Sequence, residues 1–245
     1  MVDLLDPKPG DRVLEIAAGP GDTGFLAAER IAPTGRLISS DLVPGMVAAA
    51  ERRGTELGVS NADYQALDAQ ELELPDETVD GVLCRYGYML LPDPSVAFAE
   101  TRRVLRGGGR VAFAVWGTAD ENPWAAAIGR ALVSSGRMER PDPDAPGPFR
   151  LADRERVREH VEGAGLELLV QDDVPLTWSY SSFEEYWSTS RDLSRTLATV
   201  LEALSEQETR EVYGDVRAAL EPYRLGDGLV IPAVTRVALA RRPGA

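Results

Sequence analysis

The sequence predicts an α/β fold, a mostly parallel sheet with helices on both faces. Three observations predict it. Short apolar runs alternate with helix-length segments through the first two-thirds of the chain. A glycine-rich loop joins the first run to the first helix, and the second and third runs each end on an aspartate. Alternation of this kind demands crossover connections, which make neighbouring strands parallel and cover both faces of the sheet. The chain has 245 residues, 44% of them hydrophobic, enough to fill the core of one such domain with a helical insertion.

The elements follow in order. Arg12-Val13-Leu14-Glu15-Ile16-Ala17 reads as a buried strand. Asp22 to about Ala32 reads as a helix with Phe25, Leu26 and Ile31 on its apolar side. Arg36 to Ser40 is the second strand and ends at Asp41. Pro44 suits a first helical turn, and that helix runs to Leu57 before Gly58. Tyr64 to Leu67 is a short third strand ending at Asp68, and Val79 to Cys84 is the fourth. Asp93-Pro94 is an N-cap followed by a proline at N1; Ala97, Phe98, Val104 and Leu105 share one face of the helix it opens. Gly107-Gly108-Gly109 is expected to end that helix, with the fifth strand from Val111 to Trp116.

The last third is less regular. A helix is expected from Asn122-Pro123, then an irregular proline-rich loop from Pro141 to Pro148. Asp153 caps a short helix to Ala164, and Leu166 to Trp178 forms a sixth strand. Ser182-Phe183-Glu184-Glu185 has capping-box spacing and opens a helical insertion to about Tyr223. Gly226 to Arg241 returns as a final strand, which Pro232 places at an edge or a bulge.

Composition removes several classes of function. The formal net charge is −14, a poor match for a phosphate backbone, so nucleic acid is not an expected partner. No apolar run approaches a membrane span, and Met1-Val2-Asp3-Leu4-Leu5-Asp6 lacks the basic start of a signal peptide, so a cytoplasmic protein is expected. One cysteine, Cys84, and one histidine, His160, leave no disulfide framework and no multi-cysteine or multi-histidine metal site. The only lysine is Lys8.

Gly19-Pro20-Gly21-Asp22-Thr23-Gly24 matches G-x-G-x-x-G between a strand and a helix, with Asp41 at the end of the next strand. Such a loop lets backbone approach a ligand, and an acid at that strand end accepts hydrogen bonds from ribose hydroxyls. The pattern serves a nicotinamide dinucleotide and S-adenosylmethionine alike; its bland alternative is a plain glycine turn. Other features separate the ligands. A Tyr-x-x-x-Lys pair is ruled out by the position of Lys8, His160 falls late for a dehydrogenase histidine, and Glu15 stands inside strand one where nicotinamide enzymes carry an apolar residue. Asp68 is placed to meet an adenine amino group.

On these residues the chain resembles the class I S-adenosylmethionine-dependent methyltransferases. Val13-Leu14-Glu15-Ile16-Ala17-Ala18-Gly19-Pro20-Gly21 looks like their first motif; Asp41 is similar to their ribose-binding acid and Asp68-Ala69 to their adenine-edge pair. Arg103-Val104-Leu105-Arg106-Gly107-Gly108-Gly109-Arg110 looks like their stretch before strand five, with glycine in place of the usual proline. The run is most similar to the ubiquinone/menaquinone-biosynthesis-type branch of small-molecule methyltransferases. The resemblance implies a Rossmann-like sheet of seven strands in the order 3-2-1-4-5-7-6, with strand seven antiparallel. It implies residues 1–116 as a cofactor-binding half and residues 117–245 as a substrate-side half, the insertion occupying about 179–225. Family members carry some tens of residues ahead of the first motif, which here begins at residue 13, so three expectations stand: another part of the chain covers the cofactor, the site is open, or the chain is shortened.

The resemblance also implies site residues. Ala17, Gly19 and Gly21 would meet the cofactor through backbone and Glu15 would brace the loop. Asp41 would bind ribose, with Leu42 and Met46 packing near adenine and Asp68 and Ala69 at the adenine edge. Cys84 and Arg85 would lie under the methionine portion. No metal is needed, because the methyl group arrives activated, and a base is needed only where the nucleophile must lose a proton. Tyr86, Tyr88 and His160 are the weak candidates for that base. His160 reads more simply as a half-buried structural histidine, Cys84 as a small core residue, and Arg85 as a surface ion-pair partner. Trp178, Tyr180, Phe183, Tyr186 and Trp187 cluster in sequence, and Phe183, Tyr186 and Trp187 share a helix face; packing of the insertion comes ahead of a substrate-lining role. The expected partner is a small, apolar or aromatic methyl acceptor, methylated at oxygen, carbon or nitrogen, and a homodimer is left open. Two alternatives stand beside this expectation: a nicotinamide-dependent oxidoreductase and a non-catalytic S-adenosylmethionine-binding protein.

Overall fold

The computed structural model describes residues 1–244. A four-residue helix, α1 (Val2–Leu5), precedes β1 (Arg12–Ile16), α2 (Asp22–Ile31), β2 (Arg36–Asp41), α3 (Pro44–Leu57), β3 (Ala62–Ala66), β4 (Val79–Arg85), α4 (Pro94–Val104) and β5 (Leu105–Trp116). Then come α5 (Pro123–Ser134), α6 (Arg154–Gly163), β6 (Glu167–Tyr180), α7 (Phe183–Leu193), α8 (Arg195–Glu202), α9 (Glu206–Leu220), β7 (Arg224–Leu225) and β8 (Gly228–Arg241). The sheet runs β3-β2-β1-β4-β5-β8-β6, with β7 paired to β8. This is the order implied by the family resemblance, with one two-residue strand added. The first five strands pair in parallel. The last is antiparallel to β5: Gly108 N–H donates to the Arg242 carbonyl and Gly117 N–H to the Val234 carbonyl, so one index falls as the other rises.

Successive residues of β5 face opposite layers. Ala112 joins Leu5 of α1, Phe25 and Ile31 of α2, and Leu37 in one core cluster. Its neighbour Phe113 turns the other way, into an edge-on contact with Phe98 of α4 at 5.2 Å. Val13 to Ile16 are buried without alternation, as a strand covered on both faces must be. The short α1, which the sequence reading did not anticipate, is held by this core: Leu5 covers Gly81 of β4, where a Cβ would come within 3.2 Å of it.

Several expectations are corrected. Gly107-Gly108-Gly109 does not end α4; the helix stops at Val104, and all three glycines lie inside β5. Pairing on both edges overrides the local signal: Leu105 is in register with Val79 of β4, while Gly108 and Gly109 exchange hydrogen bonds with Arg242. Leu26 is 55% exposed, and Ala27 and Ala28 take the buried side of α2 instead. The third strand ends at Ala66, two residues before Asp68. Pro232 is not on an edge strand, since β8 lies between β5 and β6.

The chain divides into two compact units. One comprises residues 1–116, 146–173 and 236–244; the other comprises 117–145 and 174–235. In the second, α5 packs on α9, and Arg137, three residues past the end of α5, pairs with Glu208 and Glu211 of α9. Buried Asn122 accepts from Trp124 Nε1 at 3.2 Å and from Val234 N–H at 3.1 Å, and donates to the Val234 carbonyl at 3.0 Å. The full capping box lies at Ser205–Glu208. At Ser182 only half of one forms, because Glu185 turns its carboxylate to Ser181.

Candidate cofactor site

The site is built where β1, β2 and β4 end side by side, the carboxyl edge at which parallel sheets bind ligands. β1 leads through Ala17, Gly19 and Gly21, with φ of +53°, +53° and +89°, into α2. Gly21 is obligatory on two counts: its left-handed backbone, and the Phe25 ring 2.5 Å from where a Cβ would stand. Ala17 adopts the same region without glycine's freedom, at a cost of about 1 kcal/mol. β2 delivers Asp41, whose Oδ2 accepts from Gly19 N–H at 2.9 Å and whose Oδ1 accepts from Val43 N–H at 2.9 Å. The acid at the end of one strand thus clasps the glycine loop at the end of its neighbour, 22 residues earlier. Beyond Asp41, Leu42 and Met46 are 61% and 45% exposed, apolar surface that an adenine ring would cover.

Glu15 lies beneath the loop, 2% exposed. Its Oε1 accepts from Gly24 N–H at 2.8 Å, and its Oε2 is buried with no partner. Burial pushes its carboxyl up to about 8; the Gly24 hydrogen bond and the Arg85 charge offset this in part, and Asp22 and Asp41 add to it. Gly24, the last glycine of the loop motif, is a residue whose partner the sequence did not reveal: a Cβ there would stand 2.1 Å from Glu15 Oε2. Asp22 opens α2 and pairs with both Arg53 and Arg85, and these two arginines hold its carboxyl below the usual range. Arg53 also donates to the Pro20 carbonyl at 3.3 Å, tying α3 to the loop. Asp68 accepts from Gln70 N–H at 2.8 Å, and Ala69 beside it is buried.

The base candidates separate. Tyr88 is fully buried; its hydroxyl shares a 2.6 Å hydrogen bond with Thr101, its ring stacks on Phe98 at 4.1 Å, and burial pushes its phenol well up. It is a core residue. His160 bonds Ser95 Oγ through Nδ1 at 2.8 Å, binding α6 to α4, and its pKa is lowered, chiefly by burial and then by Arg150. Cys84 is fully buried and its thiol is pushed up to about 12 by that burial, so it is no nucleophile. Tyr86 alone stands at the site's edge, half-buried, with φ of +63° and its ring stacked on Trp116 at 4.1 Å.

Comparison with known proteins bears on the ligand this geometry could serve. Residues 13–109, which carry Glu15, the loop, Asp41, Asp68 and Arg85, match a family described as a methyltransferase domain. Residues 13–109 thus match a methyltransferase domain. Among relatives of the domain, aklanonic acid methyltransferase DauC of Streptomyces sp. (strain C5) is 36% identical over 113 residues, 46% of this chain and 51% of that protein. The ubiquinone/menaquinone biosynthesis C-methyltransferase UbiE of Xanthomonas oryzae pv. oryzae is 38% identical over 110 residues, 44% of each chain. The match thus spans about half the length of the curated relatives. A putative methyltransferase of Bacillus halodurans C-125 shares the fold at a TM-score of 0.65 and 19% identity, covering 99% of this chain and 96% of that one. The match to a methyltransferase domain and the order of strands agree with the expectation drawn from the motifs. No helix of the described residues is long and apolar enough to cross a membrane.

Proposed function

We propose that the chain transfers a methyl group from S-adenosylmethionine to a small acceptor molecule, apolar or aromatic, at oxygen, carbon or nitrogen. The observation that carries this reading is the clasp between Asp41 and Gly19 N–H, set over a loop that has no room for a Cβ at Gly21 or Gly24 and above a buried acid with an unpartnered oxygen. The residues fit the cofactor: each Asp41 oxygen keeps a lone pair for a ribose hydroxyl, and Leu42 and Met46 offer apolar cover for adenine, with Asp68 and Ala69 at its edge. When bound, S-adenosylmethionine supplies a methyl group already activated by its sulfonium. The chain's part is to fix that group in line with the acceptor atom and to exclude water. Glu15 holds the start of α2 through Gly24, and Asp22, drawn between Arg53 and Arg85, keeps the loop closed against α3. Cys84 and Arg85 end the strand under the methionine portion. Tyr86 is the residue we assign to the acceptor side. The relatives named as an aklanonic acid methyltransferase and as C-methyltransferases of ubiquinone/menaquinone biosynthesis motivate an aromatic acceptor. The nicotinamide alternative has no such support.

Isothermal calorimetry with S-adenosylmethionine tests the reading. Wild-type protein binds and Asp41→Ala binds at least tenfold more weakly. No binding by wild type, or undiminished binding by the variant, would refute it. Binding without turnover across a panel of phenols, quinones and amines would leave a non-catalytic binding protein.

A further inference from the structure

The proposed reaction uses Glu15 only to brace the loop, yet its surroundings suit it to hold and give up a proton. On β2, Ser39 stands opposite it in register, 1% exposed, and neither Ser39 Oγ nor Glu15 Oε2 has a partner. On β4, the residue opposite is the buried, apolar Leu83. From α2, Gly24 gives its N–H to Oε1 and presents only backbone to Oε2. Three charged groups act on the carboxyl. Arg85 at the end of β4 favours its ionised form, while Asp22 of α2 and Asp41 of β2 oppose it. Arg85 is itself drawn to Asp22, Nη2 to Oδ2 at 3.1 Å, and Asp22 also holds Arg53 of α3. The chain thus gives Oε2 neither a donor nor an undivided positive charge, and a buried carboxylate so placed is costly. The ligand-free carboxyl keeps its proton at neutral pH, in line with a pKa pushed up to about 8 by burial.

The cofactor would change this balance. β1 lies between β2 and β4 in the sheet, so a molecule reaching from Asp41 to Arg85 crosses above Glu15. S-adenosylmethionine carries two cationic centres, a sulfonium and an ammonium, against one carboxylate. Its ribose hydroxyls on Asp41 would also spread one of the negative charges that oppose ionisation. Both effects favour the Glu15 carboxylate. We propose that binding of S-adenosylmethionine is coupled to release of the Glu15 proton, so that the loop holds its cofactor more tightly as pH rises through neutrality. The proton passes from the carboxyl to solvent, and no other bond is made or broken. This coupling rests on the proposed cofactor site and adds a pH-sensitive control to it.

The test is calorimetry of S-adenosylmethionine binding to the full chain at pH 7 in phosphate, PIPES and Tris, whose ionisation enthalpies differ. The slope of observed enthalpy against buffer enthalpy counts the protons released. Wild type should release roughly half a proton or more beyond what Glu15→Gln releases. Between pH 6 and 7.5 wild-type affinity should rise several-fold per pH unit relative to the variant, a comparison in which titration of the cofactor's own amino group cancels. Difference infrared spectra give a reading that does not depend on the variant. The carbonyl band of a protonated, buried carboxyl is present in ligand-free wild type at pH 7 and disappears as cofactor is added. Equal proton counts in the two proteins, an affinity ratio that does not change with pH, or a carboxyl band that survives saturation with cofactor would overturn the inference. Binding without proton release removes this inference alone. No binding at all removes the methyl-transfer reading and this inference with it.

Discussion

Replacing Glu15 by glutamine should make stability less dependent on pH, and by a calculable amount. In the folded chain this carboxyl is pushed from 4.5 up to about 8, with burial as the largest cause. Between those values the folded state keeps a proton that the unfolded chain gives up, so wild-type stability is fully present below pH 4.5 and is lost as pH rises toward 8. At 1.36 kcal/mol per pH unit, the loss reaches about 3 kcal/mol by pH 7. Glutamine mimics the protonated acid: its carbonyl accepts from Gly24 N–H, and its amide occupies the place of the unpartnered Oε2. Glu15→Gln should therefore match wild type near pH 4.5 to 5 and become the more stable protein as pH rises, by about 3 kcal/mol at pH 7. Urea unfolding of both ligand-free proteins from pH 5 to 8.5 measures the difference, in which the paired carboxylates, such as Asp22 and Asp63 with their opposite slope, cancel. A difference that does not change with pH would refute the reasoning, since it would mean that Glu15 is already ionised in the folded chain.

Other expectations follow from the same geometry. Gly21→Ala forces a Cβ to within 2.5 Å of the Phe25 ring at a φ of +89°; it should cost about 2–3 kcal/mol in thermal or urea unfolding and weaken S-adenosylmethionine binding in calorimetry. Ala17→Gly relieves a φ of +53° and should raise stability by about 0.5–1 kcal/mol by urea unfolding. Tyr88→Phe breaks the bond to Thr101, so urea unfolding should show a loss of about 1–2 kcal/mol, with cofactor affinity by calorimetry unchanged. His160→Gln should lower the unfolding temperature modestly through the contact with Ser95, and turnover should keep the wild-type pH profile because this ring is no base.

The candidate site was legible in the sequence to the extent that it is local. The loop's glycines, Asp41 and Glu15 are spaced along the chain by the lengths of one strand and one helix, and those lengths are written in the apolar runs. The contacts that make the loop a site are not local. Nothing in the sequence pairs Glu15 with Gly24, or Asp22 with both Arg53 and Arg85, because each bond joins groups that only the assembled elements bring within reach. Tyr88 looked equal to Tyr86 as a site residue. The turn after β4 exposes one and buries the other against Phe98, a choice made by the α4 layer and not by the residues themselves.

By itself the sequence determined the alternation of strands and helices, the loop between β1 and α2, and the acid that ends β2, since periodicity, caps and glycine punctuation act over a few residues. Tertiary structure decided what depends on neighbours distant in the chain. Pairing with β4 and β8 drew Gly107, Gly108 and Gly109 into β5 against their local preference. The core gave Leu5 a place over Gly81 and left Leu26 outside. Burial, which no single residue carries, made Glu15 a group that titrates near neutral pH and left Trp178 and Tyr180 with donors for which the chain supplies no acceptor.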